Sequence, residues 1–371
     1  PPRSTLFPYT TLFRSLAAGQ YAVPVIAVTG SNGKTTVTSL IGELLRASGK
    51  NPFVGGNIGT PLLDYFADPQ GYDAVVLELS SFQLDLAGAF RPDIGLLLNI
   101  SPDHLDRHGS LEAYTLAKQN LFRHQQLGDR AILGADDPVA AATPLNPEVG
   151  RFTFGRAEGC TARIADGRIL LTLMAGALSG KTEYVLSGTT LHSSVNQLNA
   201  AAAILAVTLA GCEQAGIAEG LRRFVPPPHR MAEVATIDGV RFINDSKATN
   251  IGALEAALAG CESPVVLIAG GRDKGSDYSL LREVVGRKVK HLVLVGEAAG
   301  LMRAALGSLV PTEAATTMED AVRRAMTAAG SGDLVLLAPG CASFDMFSGY
   351  DERGRVFAEC VHQIGQERLG A

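Results

Sequence analysis

The sequence predicts an α/β protein built on two parallel sheets: a P-loop domain with a small β-rich excursion, followed by a Rossmann-like domain. Three observations carry this. Strand-like runs, glycine-containing turns and amphipathic helical stretches alternate along most of the chain, which implies parallel sheets covered by helices. The segment TGSNGKTT at 29–36 falls where a strand gives way to a helix. Three consecutive prolines at 226–228 resist both helix and sheet and mark a stiff spacer between two such series.

The elements follow in order. The β-rich run at 25–29 feeds the glycine loop, after which Val37, Leu40, Ile41, Leu44 and Leu45 recur at helical spacing. Gly49 stands where a helix-ending glycine belongs. Further strands are predicted at 74–79, 94–100 and 130–133. Short alternating runs at 168–173 and 182–186 make up the excursion, and an alanine-rich helix starts at 197. Beyond the prolines, strands are predicted at 240–243, 265–269, 291–295 and 334–337. The expected domains are therefore 16–225 and 226–371. Residues 1–15, PPRSTLFPYTTLFRS, show neither the apolar core of a signal peptide nor helical periodicity, and are expected to be foreign or unstructured.

Composition narrows the function classes. A chain of 371 residues with 46% hydrophobic and 19% charged residues is globular and long for one core. No segment reaches the roughly 18 uninterrupted apolar residues of a membrane span, and 200–210 reads as a buried helix. A net charge of −5 gives no support to nucleic-acid binding. Five scattered cysteines without a C-x-x-C pair indicate reduced thiols in the cytoplasm.

The loop at 29–36 is the strongest chemical signal. Gly30 and Gly33 let the backbone curl so that the N–H groups of the Ser31, Asn32, Thr35 and Thr36 stretch face one anion. Lys34 supplies a point charge for the β/γ phosphates, and Thr35 can place its hydroxyl on Mg²⁺. A strict P-loop would carry glycine at 28, where Val28 stands. The alternative is a glycine turn with a surface lysine. Glu78, at the end of a predicted strand, suits Mg²⁺ if it faces phosphates, whereas a lone strand-end glutamate is simply solvated. In NISPDHLDRHG (99–109), His104 stands among Asp103, Asp106 and His108, where a metal or catalytic role competes with ordinary loop hydrogen bonding. Lys118, farther along a helix, reads as solvated. No G-x-G-x-x-G follows the first strand, which argues against a dinucleotide dehydrogenase.

T-G-x-N-G-K-T-T resembles the nucleotide loop of the Mur ligases and folylpolyglutamate synthetases, which drive amide formation with ATP. GGNIGTP (55–61), LELSSFQL (77–84), PPHR (227–230), NDSKATN (244–250), AGGRDKG (269–275) and APGCASFDMFSGYDERG (338–354) extend the resemblance to the Mur family, in its order. They fit the D-glutamate-adding branch, and the D-N-P-R motif of the diamino-acid-adding enzymes is absent. The resemblance implies ATP and Mg²⁺ as cofactors, UDP-MurNAc-L-Ala and D-glutamate as substrates, and a monomer.

It also implies roles. Lys34, Glu78, His104 and Arg230 are catalytic, with Thr35, Glu78 and His104 toward metal. Asn196, Asn199, Arg230 and Asp245 join the loop in holding ATP. Asn57 faces the muramoyl substrate, while Lys247, Thr249, Lys274, Ser343 and Tyr350 surround the amino acid. Asn250 or Thr249 is equally expected to cap the helix starting near 251.

Two departures stand out. The family carries an amino-terminal uridine-diphosphate domain, which the short stretch before residue 25 implies is missing here. It also carries a carbamylated lysine a few residues before an L-x-G-x-H-N-type segment, where this chain reads TTLHSSVNQLN (189–199); counting back from Asn196 puts Thr190 in the lysine slot, without the expected Gly or His, and Lys181 is too far away. The competing expectations are an ATP-binding fragment without turnover and a related ligase using another amino acid.

Overall fold

The computed structural model describes residues 21–58, 60–173, 180–191 and 193–369. The expectation for 1–15 lies outside them. The chain divides into two compact units: one takes the chain up to Ser101 and then His108–Pro226, the other takes Pro102–Arg107 and the chain from Pro227.

Among the described residues, the first unit is organised by nine strands: β1 (Val25–Thr29), β2 (Pro52–Gly56), β3 (Ala74–Glu78), β4 (Ile94–Leu97), β5 (Arg130–Gly134), β6 (Gly150–Gly155), β7 (Ala162–Ala165), β8 (Arg168–Leu173) and β9 (Gly180–Val185). Their order is β2-β3-β1-β4-β5-β6-β7-β8-β9. Pairing is parallel from β2 through β7 and antiparallel for β7–β8 and β8–β9. The β-rich excursion thus continues the main sheet, with its last hairpin reversing direction.

β1 is buried along its whole length because both faces are covered. Ile26 and Val28 join the core formed with the helices Lys34–Ala47 and Ser194–Leu209, while Val25 and Ala27 join the opposite core with Tyr114 and Leu121. The second of these helices is buried all round over Ala200–Val207, as its uniformly apolar sequence requires.

The second unit holds β10 (Ala232–Ile237), β11 (Val240–Asn244), β12 (Val265–Gly270), β13 (Val289–Val295), β14 (Thr312–Ala314) and β15 (Leu334–Leu337). Their order is β10-β11-β15-β12-β13-β14, parallel except for β10–β11. Because β15 inserts between β11 and β12, the strand order switches there, and the loops leaving these strands meet at their carboxyl ends. Ligand crevices of open α/β sheets form at such points. Among the described residues, no helix is long and apolar enough to cross a membrane.

Candidate functional site

In the first unit the loop between β1 and the helix Lys34–Ala47 is held by the segment after β4. Ser31 N–H donates to Asn99 O at 2.9 Å and Asn32 N–H to Asn99 Oδ1 at 2.8 Å, while Asn99 Nδ2 returns a bond to Asn32 O at 3.1 Å. Gly33 has φ 85°, and a Cβ there would fall 2.5 Å from Asn199 Oδ1, so only glycine fits. No side chain caps the helix that follows, which leaves its first-turn N–H groups for an anion.

Lys34 Nζ donates to Gly30 O at 2.7 Å and to Ser31 O at 2.8 Å. Lys118 Nζ donates to the same Gly30 oxygen at 2.8 Å and lies 4.6 Å from the Tyr114 ring centre. Lys118 is 1% exposed, which corrects its reading as solvated. The helix Leu111–Gln119 and the turn after it bury Tyr114, Ala117, Lys118 and Leu121 together, so the lysine lies on the inward stripe. That helical spacing was the signal the sequence carried for it.

Glu78 ends β3 and pairs in register with Val28, two residues before Gly30. It is 2% exposed. Asn57 Nδ2 donates to Glu78 Oε1 at 3.1 Å, while Oε2 is buried with no hydrogen-bond partner. Gly56, with φ 105°, allows this approach, since a Cβ there would lie 2.4 Å from Glu78 O. A buried carboxylate oxygen left over beside a phosphate loop fits a hard cation. Among the described residues no three His, Cys, Asp or Glu side chains gather as a metal cage, so such an ion would draw its other ligands from Thr35, phosphate oxygens and water. Asn199 Nδ2 donates to Asn196 Oδ1 at 3.2 Å, placing both asparagines beside Gly33. Thr190 Oγ1 donates to Phe224 O at 2.9 Å, and Lys181 lies on β9 opposite Thr172.

The loops of the second unit are tied together by Arg353. Its guanidinium donates to Ser246 Oγ at 3.0 Å, Ser246 O at 2.8 Å, Cys341 O at 3.1 Å and Ala342 O at 3.2 Å. Gly340 N–H donates to Ala248 O, Arg272 N–H to Ala342 O, and Ser246 Oγ to Tyr350 O. This brings the segments around Asp245–Thr249, Lys274, Ser343 and Tyr350 to one edge of the sheet. Lys247 Nζ sits 3.8 Å from the Tyr350 ring centre, a cation–π contact. Asn250 caps the helix Ile251–Ala259 by accepting from Ala253 N–H. Lys274 Nζ lies 3.3 Å from Asp103 Oδ1, and Asn250 Nδ2 donates to Asp103 Oδ2 at 3.0 Å. His104 belongs to this same Pro102–Arg107 segment, with φ 53° and its Nε2 3.6 Å from Asp103 Oδ2.

Arg230 stands between two residues of positive φ, His229 at 62° and Met231 at 49°. Such backbone costs about 1–3 kcal/mol per residue and is retained where surroundings over-determine it. Asp245 Oδ1 accepts from Met231 N–H at 3.2 Å, and Arg230 lies within electrostatic reach. Burial pushes the Asp245 carboxyl up to about 6, against the opposing pull of the Met231 bond and Arg230. The folded protein therefore keeps this proton to higher pH than the unfolded chain. Its favourable contribution is full below the ordinary carboxylate value of 3.8 and is lost as pH rises to about 6. Measured by urea unfolding, wild type should lose on the order of 2 kcal/mol relative to Asp245→Asn across that window. A pH-independent difference would refute the assignment.

A phosphate loop at a strand–helix junction, with two lysines bonded to it and a buried carboxylate at the end of the neighbouring strand, marks a P-loop nucleotide-binding protein. Comparison with known proteins narrows the class: residues 28–207 match the Mur ligase middle domain and residues 229–341 the Mur ligase glutamate ligase domain. The chain belongs to the Mur ligase family, ATP-dependent enzymes that form amide bonds in peptidoglycan precursor synthesis.

It is 48% identical over 351 residues to the UDP-N-acetylmuramoylalanine–D-glutamate ligase of Desulfotalea psychrophila, covering 94% of this chain and 76% of the relative. The enzyme of the same name from Syntrophus aciditrophicus is 41% identical over 347 residues, covering 93% and 76%. In fold, the chain is similar to MurF from Acinetobacter baumannii, with a TM-score of 0.73 and 19% identity over 95% of this chain and 80% of that one. It is likewise similar to the MurF ligase of Thermotoga maritima in complex with ADP, with a TM-score of 0.71 and 19% identity over 97% and 84%.

Proposed function

We propose that this chain joins D-glutamate to UDP-N-acetylmuramoyl-L-alanine, using ATP and Mg²⁺. The first unit receives the nucleotide and the second contributes the amino-acid pocket. The observation that carries the reading is Glu78: a buried carboxylate oxygen without a partner, in register beside the strand that delivers the phosphate loop.

The L-alanyl carboxylate attacks the γ-phosphorus of ATP, giving an acyl phosphate and ADP. The amine of D-glutamate then attacks the acyl carbon, and inorganic phosphate leaves. N–H groups at the start of the helix Lys34–Ala47 and the Lys34 ammonium receive the phosphates. Lys34 and Arg230 offset charge on the transferred phosphoryl group. Mg²⁺, when bound, would lower the negative charge on the phosphates. Thr35 and Glu78 would hold it, with His104 toward a second ion. Asn196, Asn199 and Asp245 hold the remainder of the nucleotide, and Asn57 faces the muramoyl substrate. A dicarboxylate amino acid needs cations and hydroxyls; Lys247, Thr249, Lys274, Ser343 and Tyr350 supply them.

The carbamate-bearing lysine implied by the family resemblance is here assigned to Lys118 instead of the slot at residue 190. Lys118 is buried at the phosphate loop, whereas the Thr190 hydroxyl is engaged with Phe224 O. The five cysteines are free thiols, which agrees with a cytoplasmic enzyme, and the reaction as written asks for only one copy of the chain.

Phosphate release by the purified chain tests the reading. With Mg·ATP and UDP-MurNAc-L-Ala, D-glutamate should trigger release, while L-glutamate, L-lysine and meso-diaminopimelate should not. Release driven by one of those three in place of D-glutamate would overturn the substrate assignment.

A further inference from the structure

We infer that His108 is a positioning residue that holds the Glu78 segment, the phosphate loop and Lys118 in register. It lies outside every motif role assigned above, yet its side chain is only 6% exposed and meets three parts of the site at once. His108 Nε2 is 3.0 Å from Ser81 Oγ, and Ser81 stands three residues after Glu78. Nδ1 faces Asp85 Oδ2 at 3.7 Å. A carboxylate only accepts, so Asp85 favours the tautomer with the proton on Nδ1, in which Nε2 accepts from the Ser81 hydroxyl. The imidazole stacks on Phe82, with centroids 5.2 Å apart and planes 4° from parallel. One ring thereby contacts Ser81 and Phe82 and faces Asp85, all on the short helix Ser81–Asp85 after β3.

The other edge of the ring meets Tyr114, with centroids 5.3 Å apart at 64°. Ser31 Oγ donates to Ser101 O at 2.9 Å, which leaves the Tyr114 hydroxyl, 3.2 Å away, to donate to Ser31 Oγ. The same Tyr114 ring carries the Lys118 ammonium on its face. His108 is therefore wedged between the segment that aims Glu78 and the tyrosine that steadies both the phosphate loop and Lys118. Ser81 is 2% exposed, so this Ser–His–Asp row offers no nucleophile to a substrate. Its use is alignment. A shift of about 1 Å in groups that position a reacting centre costs up to a hundredfold in rate.

The inference rests on the proposed roles of Glu78 and Lys118, and its failure is separable from theirs. The test uses the whole chain, phosphate release and a magnesium titration. His108→Phe keeps the stacked ring and loses the hydrogen bond; Ser81→Ala removes only the partner hydroxyl and serves should the first variant fold poorly. Each should lower kcat about tenfold, leave the KM for D-glutamate within twofold and raise the magnesium concentration for half-activation several-fold. The double variant should be no slower than either single one, because both break one bond. His108→Gln, which returns a polar group near the Nε2 position, should recover most of the rate. Wild type that turns over while both single variants keep kcat within twofold, even with a lower Tm, overturns the inference. Wild type that binds no Mg·ATP overturns the reading beneath it instead.

Discussion

Lys118→Met is expected to lower kcat by at least a hundredfold while the chain stays folded. The methionine matches the buried stem but brings no nitrogen to the phosphate loop. In the native structure the Lys34 and Lys118 ammonium groups bond the same Gly30 oxygen at 2.7 and 2.8 Å, so their nitrogens lie within about 5.5 Å of each other. At an intermediate dielectric, two like charges at that range repel by about 3 kcal/mol. The arrangement favours an anion between them, or a negative charge on one. A carbamate on Lys118 would achieve the second: the ammonium gives up one proton, carbon dioxide adds to the amine nitrogen with loss of a second proton, and an anion replaces the cation beside Lys34. Losing a group of this kind at a phosphoryl-transfer site costs about 10²–10³ in rate. The measurement is phosphate release in buffer depleted of carbon dioxide and then resupplied with bicarbonate. Wild type should lose and regain activity, and Lys118→Met should show neither change. A variant within tenfold of wild type would remove Lys118 from the chemistry.

Arg353→Met should produce the largest loss of stability of any single change in the second unit. The side chain is 1% exposed, and burial pulls its guanidinium down to about 10, still protonated at neutral pH. Four bonds to Ser246, Cys341 and Ala342 compensate that burial. Methionine fills much of the volume but leaves the buried Ser246 and Cys341 carbonyls and the Ser246 hydroxyl without that donor, each worth about 1–3 kcal/mol, while Ala342 O keeps its bond from Arg272 N–H. A total of about 3–5 kcal/mol is expected, against a typical domain stability of about 5–15. Lysine should rescue little, since one ammonium cannot reach groups spread around a planar fork. Urea unfolding followed by near-UV signal from the second unit's tyrosines is the check. A loss below about 1 kcal/mol would mean the loops around Asp245 and Ser343 are held by other means.

Much of the fold was legible along the chain. The runs at 25–29, 168–173 and 334–337 form strands with those bounds: the first and last are buried throughout and show as unbroken apolar stretches, whereas 168–173 alternates between buried and more exposed positions, the period of a strand. Strand β4 was not legible at its end. It was expected to reach residue 100 and stops at Leu97, since Leu98 bonds Thr29 O and Asn99 turns to hold the phosphate loop. The β-rich stretch after 150 was visible as strands, but its membership of the main sheet depends on β5 pairing with β6, a contact that no local pattern encodes. In the candidate site, the glycine loop and the strand-end position of Glu78 could be placed from turn chemistry and periodicity alone. Asn99, Tyr114, His108, Lys118 and Arg353 could not, although Lys118 with Tyr114 and Leu121, and Arg353 with Phe357 and Val361, recur at helical spacing on buried stripes.

By itself, then, the amino-acid order determined which stretches curl into helices or extend, where the phosphate loop sits, and which family of chemistry the motifs resemble. These rest on interactions spanning a turn or two, and residue type at short spacing is enough to specify them. Only the tertiary structure decided which charged side chains leave solvent and what they meet. Lys118 reaches Gly30 across 88 residues and Arg353 reaches Ser246 across 107. A charge stays in water unless distant groups assemble to replace its hydration, so its burial follows from the assembled fold and not from its neighbours in the chain.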